Sequence, residues 1–209
     1  MTTWIRLGIL FIGLVYAGIL PYSVKKALDH VSIDLNRQTL SFLSNKDLYG
    51  NTYRRYYKRL LFATAILNYA FFWLLSLFYD LGENERFIRY IDYSFALLTL
   101  LAFVPHNIRP ISLKSPGSLG SSLQRIVHNL LAVLVFITLP MLIVLFQVSI
   151  MPAQPLWGTI GLIIIGAGVL ITVVSIARQG VNGLTEILFI NNISIWSIYV
   201  TIITFVFVR

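Results

Sequence analysis

The chain contains no cysteine, which excludes disulfides, thiolate metal sites, cysteine-attached haem and thiol catalysis. Charge is scarce too: only 11% of the 209 residues are Asp, Glu, Lys or Arg, against about 25% in an ordinary soluble domain. A water-soluble fold would lack the polar groups to cover its surface. Histidine appears only as His30, His106 and His128, so a single haem between the last two is the most that a cytochrome reading could claim. No Walker loop, HExxH or GxSxG sequence occurs, which leaves serine or metal hydrolysis without apparatus. No enzymatic activity, metal or cofactor is expected.

What the chain does have is apolar length. Hydrophobic residues make up 57% of it, where a soluble domain holds roughly 45–50%. Six apolar runs stand out, at Ile5–Val24, Leu60–Tyr79, Ile88–Val104, Leu123–Ile150, Leu156–Ile176 and Leu184–Val208. A helix needs ~20 such residues to cross a bilayer, so the expected fold is all-α, a polytopic membrane bundle of about six transmembrane helices in one domain over residues 1–209. The third run contains Arg89 and Asp92; without it the count drops to five. The first run resembles a signal peptide, but its apolar core continues past Val15-Tyr16-Ala17 to Leu20, which favours a retained helix.

Net charge is +8, and the cations gather at the edges of the runs rather than in a nucleic-acid-binding stripe. Twelve of the 16 basic residues fall in the basic loop 25–59, in 105–125 and at Arg178, against four on the other side (Arg6, Arg86, Arg89 and Arg209). That bias predicts a cytoplasmic first loop and both termini outside. Membrane lipids, including anionic headgroups, are the expected partners, with a homo-oligomer or a membrane complex also compatible. Tyr53-Arg54-Arg55-Tyr56-Tyr57-Lys58-Arg59 mixes rings and cations before the second run. It reads as an interfacial anchor or, more sharply, as a headgroup site built on Arg54, Arg55, Lys58 and Arg59.

Ionisable groups at membrane depth need a partner or a purpose. Glu85, Arg89 and Asp92 share one helix face by spacing and are expected to form an internal ion-pair ladder, or a proton or cation site centred on Asp92. At the opposite end His106, Arg109, Arg125, His128, Arg178 and Glu186 gather, and His128 and Glu186 are at similar depth, close enough to hydrogen-bond. In the sixth run Gly183, Glu186, Ser194, Ser197 and Thr201 form one small, polar stripe at about 100° per residue. Such a stripe faces the bundle interior, for close packing or to line a ligand cavity. Gly158, Gly161, Gly166 and Gly168 likewise point to close packing. Arg89-Tyr90-Ile91-Asp92-Tyr93 has a rhodopsin-like arginine-aspartate spacing, but no lysine follows Lys114 to bind retinal in the later spans.

Three pieces in order carry a family resemblance: Phe103-Val104-Pro105-His106, His128-Asn129-Leu130-Leu131-Ala132, and Gly183-Leu184-Thr185-Glu186 followed by Trp196. The chain resembles a six-span bacterial and archaeal membrane family catalogued as domain of unknown function 998, distantly similar to the FRAG/DRAM/SFK membrane proteins, a resemblance that implies the prokaryotic plasma membrane. It departs from the family at Ile187, where an arginine is usual. The eukaryotic relatives' association with lipid remodelling implies lipid handling by analogy.

The expected function is binding or sensing of a lipid or small apolar ligand inside the bundle. That interior would be bounded by His106, Arg125, His128, Glu186, Ser194 and Ser197 towards one end and by Arg89 and Asp92 at the other. The alternatives are a proton- or ion-coupled transporter or channel, and a structural subunit of a membrane complex.

Overall fold

A backbone in hydrocarbon must satisfy its own N–H and C=O groups, so each apolar run has helix as its only stable form. The structure is a computed structural model that describes residues 2–29, 31, 33–104 and 119–207. All regular structure among these residues is helical. The first helix comprises α1 (Thr2–Leu14), a π-helical turn at Val15–Ile19, and α2 (Leu20–Asp29). The π turn sits just ahead of Pro21, whose ring lacks an N–H and crowds the preceding turn of a regular helix. The widened turn, closed by the Leu20 N–H on the Val15 carbonyl, accommodates it and turns the Tyr16 side chain inward, where it is buried.

The chain continues as α3 (Lys46–Phe78), α4 (Glu85–Phe103), α5 (Leu119–Ile150), α6 (Pro155–Gln179) and α7 (Gly183–Ile202). Each helix from α3 onward packs on the next, and α1 closes the bundle against α3 and α7. One side therefore carries Thr2 and the end of α7 (the terminal side), and the other carries the first loop (the loop side). Five helical stretches are long and apolar enough to cross a membrane: Thr3–Lys26, Tyr49–Phe78, Leu123–Ile150, Pro155–Gln179 and Gly183–Phe207. Helix α4 is not among them, because Glu85, Arg86, Arg89 and Asp92 interrupt it, yet it lies packed between α3 and α5. Its 19 residues at ~1.5 Å each cover about 28 Å, close to the ~30 Å hydrocarbon core. The chain is an integral membrane protein. Its outer surface fits, with Phe11, Ile163 and Leu170 exposed at 63%, 64% and 64%.

Close packing is concentrated where side chains are smallest. A Cβ on Gly161 would fall inside the Gln147 amide, and one on Gly168 would reach Asn192. The Asn192 amide donates to the Gly168 carbonyl at 2.7 Å and to Thr172 Oγ1 at 2.9 Å, a polar tie between α6 and α7 in the lipid-excluded interior. Gly166 meets nothing within contact distance, so the expected role in packing holds for its buried neighbours and not for it.

The terminal half is filled by rings. Trp196 is fully buried, stacked on Phe72 at 5.6 Å and edge-on to Phe146 at 5.7 Å. Such ring pairs add about 0.5–1.5 kcal/mol beyond the area they bury. The first connection is shorter than the basic loop 25–59 predicted from sequence, since α2 runs to Asp29 and α3 begins at Lys46. The tyrosine- and arginine-rich stretch Tyr53–Arg59 is therefore helical, part of α3.

Candidate functional site

The loop folds inward. After a turn in which the Asn36 N–H donates to Asp34 Oδ1, it forms a 3₁₀ turn at Leu40–Ser44 against the start of α7. A helix leaves its first N–H groups without intrahelical partners, and here the loop supplies them. Gly183 N–H donates to the Gln38 carbonyl at 2.8 Å and Leu184 N–H to the Leu35 carbonyl at 3.2 Å. The Thr185 N–H is taken by the capping Asn182 side chain, whose own backbone N–H donates to Thr185 Oγ1. Glu186 completes the dock by accepting the Leu40 N–H at 2.5 Å. A side chain at Gly183 has no room, since its Cβ would stand 2.6 Å from Leu35 Cδ2 and 2.8 Å from the Gln38 carbonyl oxygen.

Below the docked loop lies a cavity of about 160 Å³, walled by the π turn, α2, α3, α4, α5 and α7. Leu40 and Ser41 close it on the loop side, beside Glu186 and His128, and Leu98, Val135 and Phe189 line it deeper in. Apolar cavities near 150 Å³ stay dry and accept a benzene-sized guest. Few polar atoms reach this one. The Asn68 side chain lines it, and its Nδ2 is buried with no hydrogen-bond partner among the described residues.

His128, 2% exposed, lines the same cavity. Its ring Nδ1–H donates to the Val104 carbonyl at 2.6 Å, holding the last turn of α4 against α5. The expected His128–Glu186 hydrogen bond is therefore replaced: each bonds to backbone, Val104 and Leu40 respectively, although both face the cavity. The first two pieces of the family pattern meet in the His128–Val104 bond, and the third piece is the dock of the loop on α7.

The other expected site residues divide. Ser194 lines the cavity, with its hydroxyl donating to the Ile190 carbonyl. Ser197 lies outside the lining; its hydroxyl donates to Ile193, while Thr201 packs on Gly13, where a Cβ would overlap its side chain. Arg125 is half-buried and does not line the cavity. His106 and Arg109 lie outside the described residues. Arg89 and Asp92 correct the sequence reading most: both are exposed on the outward face of α4, and Arg89 pairs there with Glu85 at 3.0 Å. The opposite face of that helix, Phe87, Ile91, Ser94 and Leu98, is the buried one. The spacing grouped the charges on one face correctly, but packing turned that face outward because the apolar stripe had more to gain from the interior.

Of the four headgroup candidates, Lys58 lies over the Phe103 ring at 3.9 Å. Arg59 alone lines a groove of about 640 Å³ beside the cavity, together with Lys26. Arg54 and Arg55 line neither hollow. Sequence reasoning missed Tyr16, Tyr57 and Asn68 as cavity residues. Asn68 carried a readable signal, an amide in the middle of an apolar run.

No curated protein and no solved structure matches the chain. The family described as Protein of unknown function (DUF998) matches residues 24–203, which takes in every helix from α3 to α7 and all three sequence pieces. This chain belongs to that family.

Proposed function

We propose that the protein binds a small apolar ligand or the hydrocarbon part of a lipid in the cavity beneath the docked loop. The observation that carries this reading is a cavity of about 160 Å³ whose lining is mostly apolar, with His128, Glu186 and Ser41 among its few polar residues. Asn68 adds an amide N–H with no partner among the described residues, a group that a ligand oxygen would satisfy. We read the protein as a binder rather than an enzyme. We also infer both termini outside from the placement of the basic residues, and the prokaryotic plasma membrane from the resemblance to a bacterial and archaeal family.

The test is direct. Protein purified in mild detergent is extracted and its bound small molecules are identified by mass spectrometry, in the wild type and in Ala132→Trp, whose ring would fill the cavity that Ala132 lines. One alkyl-chain compound per protein, lost in the variant while circular dichroism stays unchanged, supports the reading. A wild type that carries none, and whose melting temperature no alkyl probe raises, overturns it, because a ligand that binds only the folded state must stabilise it.

A further inference from the structure

The groove beside the cavity has a different chemistry. It lies between α2 and α3 on the loop side, and Ser23, Lys26, Thr52, Tyr53, Tyr56 and Arg59 contribute to its lining. No carboxylate lines it among the described residues. Lys26 and Arg59 are both exposed, and neither makes an ion pair among the described residues. Tyrosine hydroxyls and two unneutralised cations at the edge of a membrane span are the groups that hold a phosphate at headgroup level. A zwitterionic headgroup would bring its own cation against Lys26 and Arg59, so charge favours an anionic one.

Two residues connect this groove to the cavity. Tyr57 and Leu60 line both, so these two side chains belong to the wall that a chain leaving a headgroup in the groove would pass to reach the apolar interior. We infer that the groove and the cavity form one bipartite site for a single anionic phospholipid, its phosphate between Lys26 and Arg59 and part of one acyl chain past Tyr57 and Leu60 in the cavity. This assignment rests on the cavity reading above and adds to it the headgroup and the route. At about 160 Å³ the cavity takes part of one chain, and the rest stays in the surrounding bilayer.

The experiment uses the full chain and two probes with identical acyl chains, phosphatidylglycerol and phosphatidylcholine, with retained lipid counted by native mass spectrometry. The wild type is expected to hold one phosphatidylglycerol roughly thirtyfold more tightly, from two cations acting at the surface. Lys26→Gln with Arg59→Gln should abolish that preference with an unchanged melting temperature, since both side chains are exposed, and Arg59→Lys should keep most of it. A wild type without preference, or a double variant that retains it, overturns the headgroup assignment and leaves the cavity reading to the Ala132→Trp test. If neither lipid is held, the bipartite site is overturned, and the cavity reading is decided by the Ala132→Trp test. If inorganic phosphate displaces the lipid at equal concentration, the groove is a free-phosphate site and the inference is overturned as well.

Discussion

Glu186 and Glu85 each stand in the first turn of a helix, at opposite ends of the bundle. Glu186 accepts a backbone N–H from a loop folded over it and borders a cavity. Glu85 pairs with Arg89 on the outer surface, where the two side chains are 83% and 60% exposed. The interiors at the two ends differ as well. At the loop side, polar groups are bonded to backbone around an open space, with His128 on Val104 and Gly183 on Gln38. At the terminal side, rings fill the interior around Trp196, and the Gln147 amide is buried with neither end bonded among the described residues. One end is built around a cavity by borrowing backbone partners from a loop, and the other is packed shut.

Three substitutions and one compensating change break or sharpen that contrast, in descending order of effect. Gly183→Ala should cost about 1–3 kcal/mol by overpacking the dock and should reduce ligand retention as well. Leu35→Ala should recover only part of the loss, because the Gln38 carbonyl is backbone and cannot move aside. Thermal unfolding in detergent alongside lipid retention measures both, and full stability in Gly183→Ala would mean that the dock is dispensable. At the other end, Gln147→Met should raise stability by about 1 kcal/mol, since it removes a buried amide without partners while conserving volume, and should leave lipid retention untouched. A fall in melting temperature would instead reveal a water or ligand bonded to that amide. Glu85→Gln should change stability by less than about 0.5 kcal/mol, because an exposed ion pair in water is worth little. A larger loss, read from the same melting curves, would show that the outer face of α4 is covered by a partner.

Much of the bundle could be read from hydrophobic runs alone. Even α4, the ambiguous one, carried its own answer in Phe87, Ile91, Leu98 and Ala102, the stripe that is buried. Weighing that stripe against Glu85, Arg89 and Asp92 would have turned the charges outward, since a helix buries its most apolar face first. The cavity was half legible. His128, Glu186 and Ser194 were named from depth and spacing, and all three line it. Tyr57 was not, nor was Lys26 of the neighbouring groove, because nothing in the sequence brings a loop-side lysine of α2 into one hollow with Arg59 of α3. The dock was invisible for a simpler reason: Leu40 and Glu186 are 146 residues apart, and their bond joins a main-chain donor that every residue type possesses.

The sequence by itself determined that this chain lives in a membrane and which runs form helices, because a long apolar run in lipid satisfies its polar backbone within itself only as a helix. It also determined which residues share a helix face, since that follows from the turn angle alone. The tertiary structure decided which way each face points, where the first loop goes and that a cavity remains beneath it. Rotation of a membrane helix is set by the neighbours it packs against, and those contacts exist only in the folded bundle.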